Sequence, residues 1–325
     1  MLRGVYRFLV PLLIGVLAAL AAAVMPHPVR LGGVEVGDIG LPLAGIAQFE
    51  GGGSPYDIRL RGHTPALYPF TTMLALWPLK LVPLRFAVPL FVGLSSFALA
   101  FAVARNGKPW QLLLFLTPSY WSAVQSVQWS PLLTAAILLP PLLPLAVVKP
   151  QLGVVLAASG QWSRKTLLAT LALVAASLLV WPAWPMEWLR HGNLRTFNGF
   201  SPVAVLPGIV LLFGALAWRT REGRLLLAMS AVVQRYFYDQ LPLYLVAKTW
   251  RQMLLLLASS WVPVLLFRPD TMSGVQQVEV WRGVIVLLYL PALGIVLFNR
   301  RADQIDSRNS TSLPNPSGQR EAMTR

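Results

Sequence analysis

Long stretches without a single charged side chain constrain this chain more than any motif does. Residues 8–29, 62–79, 86–104, 109–148, 166–186, 196–218 and 283–299 contain no Asp, Glu, Lys or Arg. A helix needs roughly 20 mostly apolar residues to cross about 30 Å of hydrocarbon. Most of these windows therefore have room for one span, and 109–148 has room for two. Two shorter windows, 150–163 and 252–267, suit short, tilted or re-entrant helices. Arg235 and Asp239 interrupt the stretch 225–247, which reads as one helix or as two half-helices. The expected fold is all-α: a polytopic membrane protein with about nine to twelve transmembrane or re-entrant helices.

Composition agrees. Charged residues make up 12% and hydrophobic residues 56%, where soluble domains carry roughly a quarter charged residues. This excludes a soluble enzyme and a disordered acidic protein, and the absence of Cys excludes a disulfide scaffold and thiolate chemistry. The net charge of +15 does not indicate nucleic acid, because the cations lie between apolar runs, as at the ends of membrane helices. No HExxH-type metal spacing, Gly-rich phosphate loop or solenoid repeat is present. Arg3 and Arg7 precede a first helix that also resembles a secretory signal; an uncleaved helix with a cytoplasmic N-terminus is expected. Arg164-Lys165, Arg219/Arg221/Arg224 and Arg300-Arg301 then mark cytoplasmic ends, leaving loops 26–64 and 182–202 outside. Arg105 and Lys108 fit this scheme poorly. Residues 1–299 form the membrane domain, and the polar segment 300–325 reads as a disordered cytoplasmic tail, solvated or with its basic start touching anionic lipid.

Acidic residues are the scarcer half of the charge balance. The first 186 residues contain only Glu35, Asp38, Glu50 and Asp57, all in the first outer loop. Within it, Ile39, Leu43, Ile46 and Phe49 recur at helical spacing, so Asp38–Glu50 reads as an amphipathic helix lying at the interface. Asp38 stands at its start, either as an N-cap or as a functional carboxylate. A Gly-rich break from Gly51 to Asp57 follows, then Arg59, Arg61 and His63, and then Leu67-Tyr68-Pro69 opening a new span. Carboxylates and cations beside a membrane suit a lipid-phosphate-linked substrate: the carboxylate takes a proton from an acceptor hydroxyl, and the cations hold a departing phosphate. The alternative is a solvated loop with basic anchors.

Four further features carry both a functional and a structural reading. Lys149, in an apolar run, is a phosphate partner or a snorkelling anchor. His191, Asn193, Arg195 and Asn198 in the second outer loop bind sugar or phosphate, or are simply solvated. Arg235 and Asp239, four residues apart, contact substrate or pair with each other on one helix. Trp121 and Trp129 stack on sugar, or belong to an interfacial belt or the core.

The order of these segments resembles the integral-membrane glycosyltransferases of family 87. The resemblance rests on a Gly-Asp start to the outer segment, Gly-Gly-x-Ser-Pro-Tyr-Asp ending at Asp57, and Leu-Tyr-Pro at residues 67–69 with Pro78 at the next helix end. Gln128-Trp129-Ser130-Pro131-Leu132-Leu133, Val147-Val148-Lys149-Pro150 and Tyr238-Asp239-Gln240-Leu241 continue it, so that it spans about 35–250. It implies a GT-C bundle whose site faces outward under the first loop, and an inverting hexosyl transfer, with mannose a candidate sugar. The donor is a polyprenyl-phosphate-linked sugar, the acceptor an envelope glycolipid or glycan, and neither metal nor cofactor takes part. The location is the plasma membrane, among its lipids and away from nucleic acid. Asp38 matches the family's base. Tyr68, Gln128, Lys149 and Asp239 join Arg59, Arg61, His63, His191, Arg195 and Arg235 as candidate substrate or phosphate contacts. The chain departs from the pattern after Asp38, where Ile39-Gly40-Leu41-Pro42 replaces aromatic residues, and at Val127, where the family has Gly before Gln. A transporter or flippase of lipid-linked sugars, and a catalytically degenerate paralogue, remain as alternatives.

Overall fold

Proline decides where the apolar windows break. The computed structural model describes residues 2–58, 68–106, 108–191, 200–233, 237–267 and 274–311. The window 109–148, expected to hold two spans, folds instead as four short helices: a 3-10 helix Pro109–Leu116, α5 (Pro118–Gln125), α6 (Ser130–Leu138) and a 3-10 helix Pro140–Val148. α7 (Pro150–Ser159) follows. Each begins with proline at its first or second position. Proline lacks the N–H an ongoing helix needs, and it pushes the residue before it into extended conformation. Thr117, Leu139 and Lys149, the residues before Pro118, Pro140 and Pro150, have ψ of 150°, 93° and 89°.

Among the described residues four helices are long and apolar enough to cross a membrane. They are the apolar part of α1 (Leu2–Val24), α4 (Leu84–Asn106), α11 (Trp250–Phe267) and Val278–Gln304. The last lies within the helical run of α12 (Gly274–Val284), a π turn at Ile285–Tyr289 and α13 (Leu290–Thr311). A bent pair, α8 (Arg164–Val180) and α9 (Trp184–His191), with an 87° turn between them, has the length and composition of a broken span or a re-entrant loop. Nine to twelve was therefore too many for full spans. The remaining windows fold as shorter pieces, among them 3-10 helices Gly208–Ala217 and Phe237–Val246 and helix α10 (Arg221–Ala231). The stretch 225–247 is two half-helices. α13 continues to Thr311, so the start of the tail expected to be disordered is helical.

α1 and α4 form a close antiparallel pair. Phe8 meets Phe97 at 5.8 Å, while a Cβ on Gly15 would stand 2.9 Å from the Phe97 Cβ and 3.0 Å from the Gly93 carbonyl. Small residues let the two backbones approach, which drives helix association in lipid. Because the pair is antiparallel, Arg105 at the end of α4 returns to the end where α1 begins. It thus lies with Arg7, and its poor fit to the topology disappears. The described residues between α1 and α4 stay at the other end. There lie a hairpin of β1 (Arg30–Leu31) and β2 (Val34–Glu35), a 3-10 turn Gly37–Ile39, α2 (Gly40–Glu50), α3 (Phe70–Leu76) and a 3-10 turn Trp77–Leu81. The span expected to open at Leu67-Tyr68-Pro69 is this short α3 segment, which does not cross.

The charges divide accordingly. Arg7, Arg105, Arg164, Arg221, Arg224 and Arg300 lie towards one end, with Glu222 and Asp303 among them, and Glu35, Asp38, Glu50, Asp57 and Glu187 lie towards the other, with Arg30, Lys80 and Arg190. Arg221 and Arg224 close the basic end: Arg221 donates to the Ile137 and Ser159 carbonyls and Arg224 to that of Ala158 at 2.8 Å. These are the last carbonyls of α6 and α7, which otherwise have no intrahelical partner. At the acidic end Arg30 pairs with Glu35, Lys80 with Glu50 and Arg190 with Glu187. The flanks expose apolar side chains, including Leu13 and Leu17 on α1, Leu168 and Leu171 on α8, and Leu265 on α11. Such a surface suits lipid rather than water.

Candidate functional site

The site is built around a turn between α5 and α6. At Val127 the backbone enters the left-handed region with φ +52°, which a β-branched residue rarely adopts and which costs on the order of 1–3 kcal/mol. The turn offers the Ser126 carbonyl to the Asp38 N–H at 2.9 Å. Opposite it stands Gly37 with φ +58°, where a Cβ would come within 2.5 Å of Val127 Cγ2 and 2.8 Å of the Ser126 oxygen. Only glycine fits both the space and the φ. The contact seats Asp38 beside Gln128.

From there a chain of side chains runs inward. The Asp38 carboxylate accepts from the Gln128 amide nitrogen. The Gln128 amide oxygen accepts from Lys149 Nζ at 3.0 Å, and the same ammonium donates to Asp239 Oδ1 at 2.6 Å while lying 4.6 Å from the centre of the Tyr238 ring. An ammonium only donates and a carboxylate ion only accepts, so the amide has a single orientation that satisfies both neighbours. Asp239, Lys149 and Gln128 are buried, and Asp38 is partly exposed. Removing one partner of a buried ion pair typically costs about 3–5 kcal/mol, because it strands the other charge. α6 and α7 begin at this network with no side-chain cap at either N-cap position, so the positive ends of two helix dipoles lie beside the carboxylates. α3 holds the approach to Lys149: Thr71 donates to the Val147 carbonyl at 2.7 Å and Thr72 to that of Val148. Next to the network, Trp129 Nε1, Ser130 Oγ and Gln240 Oε1 are buried without a hydrogen-bond partner among the described residues.

Several expectations change. Asp38 is not the N-cap of α2: that position is Ile39, without a side-chain cap bond. Nor is α2 amphipathic at an interface. Gly40 through Ile46 are all buried, because no polar residue occurs between Gly40 and Ala47 and a helix apolar all round belongs inside. Lys149 does not snorkel; its ammonium is buried on Asp239. Trp129 is buried in the core.

His191 joins a second cluster. Its Nε2 lies 3.0 Å from Asp57 Oδ1 and its Nδ1 lies 2.8 Å from the Glu187 carbonyl, so the second outer segment is tied to the first. Tyr56 packs between Trp181 and His191, at 5.5 and 6.1 Å between ring centres, and burial pushes its phenol pKa up. Phe49, Phe70 and Trp77 complete this aromatic roof. Tyr68 is buried just before α3. Arg59, Arg61, His63, Arg195 and Arg235 lie outside the described residues, as do Asn193 and Asn198.

Sequence reasoning missed His27. Buried between Pro26 and Pro28, it sets one ring nitrogen 2.6 Å from the Gln125 carbonyl and the other 2.7 Å from that of Ala22, linking the end of α1 to the turn that seats Asp38. Its backbone N–H donates to Glu35 at 3.0 Å. The Arg30 hydrogen bond, then that of His27, hold the Glu35 carboxyl below the usual carboxylate value. A histidine between two prolines at the end of an apolar run was the available signal. Among the described residues no group of three or more His, Asp or Glu gathers as a metal site.

Compared with known proteins, the chain matches no family model, no curated protein and no solved structure.

Proposed function

We propose that the protein is an integral-membrane glycosyltransferase that uses a polyprenyl-phosphate-linked sugar, with Asp38 as general base. One observation carries this reading. Four segments quoted for the family resemblance, Gly37-Asp38, Gln128, Lys149-Pro150 and Tyr238-Asp239, lie far apart in the chain and meet in one bonded network. A structural ion pair alone accounts for Lys149 and Asp239. It does not account for Gln128 extending that pair to a partly exposed carboxylate in an outer loop.

In the proposed reaction Asp38 takes the proton of the acceptor hydroxyl, and the hydroxyl oxygen bonds to the anomeric carbon. The bond from that carbon to the lipid-phosphate oxygen breaks on the opposite face; its electron pair leaves with the phosphate, and configuration inverts. Gln128, oriented by Lys149, positions the carboxylate. Because its ammonium is engaged with Asp239 and Gln128, Lys149 is assigned to positioning rather than to phosphate. Trp129 Nε1, Ser130 Oγ and Gln240 Oε1 are polar atoms suited to sugar hydroxyls. The wall that holds Trp129 also borders an apolar groove of about 330 Å³ lined by Leu76, Leu79, Phe91, Leu94 and Leu132, which suits a prenyl chain.

The division of charge supports a sidedness in which the basic end faces the cytoplasm and Asp38 faces out, at the plasma membrane. The donor sugar is proposed to be a hexose such as mannose, and the acceptor a hydroxyl of an envelope glycolipid or glycan.

Membranes containing the protein are expected to transfer sugar from polyprenyl-phosphate mannose, with Asp38→Asn lowering the rate by about 10²–10⁴, the usual worth of general-base assistance. Undiminished activity in Asp38→Asn would remove the base assignment. Movement of lipid-linked sugar across the bilayer without a glycosidic product would replace the enzyme with a transporter.

A further inference from the structure

At the basic end, the 3-10 helix Gly208–Ala217 finishes against α13 and encloses a pocket of about 360 Å³. Trp218, Arg219, Thr220, Arg300, Asp303 and Gln304 line it, together with Leu216 and Ala217. Two other arginines of this corner are occupied: Arg221 and Arg224 close the carbonyl ends of α6 and α7. Arg219 and Arg300 are different. Among the described residues neither guanidinium has an ion pair or side-chain hydrogen bond; Arg219 lies 5.7 Å over the Trp218 ring. The one carboxylate in the pocket wall, Asp303, is neutralised from outside by Lys248 at 2.8 Å. Thr220 is engaged with the Ala217 carbonyl and the Gly223 N–H.

The approach to this pocket is apolar. In a 3-10 helix residues three apart eclipse one another, so Val210, Phe213 and Leu216 form one stripe, and they are 38%, 59% and 54% exposed. The stripe covers about 12 Å at about 2.0 Å per residue and ends at Leu216, in the pocket wall. Trp218, itself exposed, stands at the boundary, where amphipathic rings favour the headgroup level.

We infer that this pocket binds the headgroup of an anionic glycerophospholipid. Arg219 and Arg300 receive the phosphate, and the acyl chains lie along the Val210–Phe213–Leu216 stripe. The two unpaired guanidinium groups select negative charge, and the stripe selects a lipid over a soluble phosphate. The site is independent of the transfer reaction proposed for Asp38.

Native mass spectrometry of the full chain, exchanged from detergent into phosphatidylglycerol or phosphatidylcholine, tests this. Retention of phosphatidylglycerol by the unmodified chain is expected to fall about fivefold on Arg219→Gln and ~30-fold with Arg300→Gln as well, at the usual strength of one basic residue against an anionic headgroup. Phosphatidylcholine retention should be unchanged, which also reports that the variant is folded. Arg301→Gln removes the same charge from the neighbouring position, outside the pocket wall, and should leave retention intact. Equal loss in Arg301→Gln, or no loss in the double variant, overturns the site. Displacement of the lipid by millimolar glycerol phosphate overturns the lipid as occupant.

Discussion

Lys149 is the residue on which the centre of the molecule depends. Its ammonium is buried with Asp239, and Gln128 joins the pair to Asp38. Lys149→Met takes the paired ammonium away from the buried Asp239 carboxylate and is expected to cost about 3–5 kcal/mol, read as a lower unfolding midpoint in detergent. Replacing both members, Lys149→Met with Asp239→Leu, should return most of that stability, because apolar side chains of similar volume replace buried pairs with little loss. The double variant should still transfer sugar poorly, since Gln128 no longer has a donor to orient it. Stability and activity therefore separate at this site. Lys149 was legible in the sequence as a cation in an apolar run, and Asp239 as a residue that, with Arg235, interrupts another. Their partnership was not, because nothing local records a contact between residues 90 positions apart. The i, i+4 spacing of Arg235 and Asp239 pointed instead to a neighbour in the chain.

At the scale of elements, charge-free length predicted helices in the right places but of the wrong size. The windows at 8–29 and 86–104 became α1 and α4, which contain Pro11 and Pro89 within their length. The window 109–148 has prolines at 109, 118, 131, 140, 141, 144 and 150 within or beside it, and these divided it into helices of eight or nine residues. Charge measures whether a segment tolerates lipid, and a close succession of prolines, rather than a single one such as Pro11 or Pro89, divides it into short helices; the first measure alone overcounts spans. Short helices leave many ends to satisfy, which gives Arg221 its role across α6 and α7. Arg221→Gln removes two charged hydrogen bonds to carbonyls and is expected to destabilise by about 1.5–3 kcal/mol per bond. The same unfolding measurement checks this, with Arg301→Gln, whose side chain is exposed, expected to change nothing.

For the whole molecule, the membrane character and the grouping of acid in one loop were readable from residue order, whereas the side on which Arg105 lies required the antiparallel packing of α1 and α4. The chain contains no Cys, so single cysteines report sidedness without background. Gly51→Cys, in the exposed turn after α2, is expected to react with an impermeant maleimide on intact cells, and Arg301→Cys only after the membrane is opened. The reverse pattern would invert the proposed orientation. The buried pair between Lys149 and Asp239 also bears on how such a protein is made. Ribosomes add about 5–20 residues per second, and the two partners are separated by 90 positions. For roughly 5–20 s, then, the nascent chain carries Lys149 before its partner Asp239 has been made. During that interval the first half of the molecule has to wait at the insertion machinery or keep its lysine in water. Delivery of the second half completes the membrane assembly of the first.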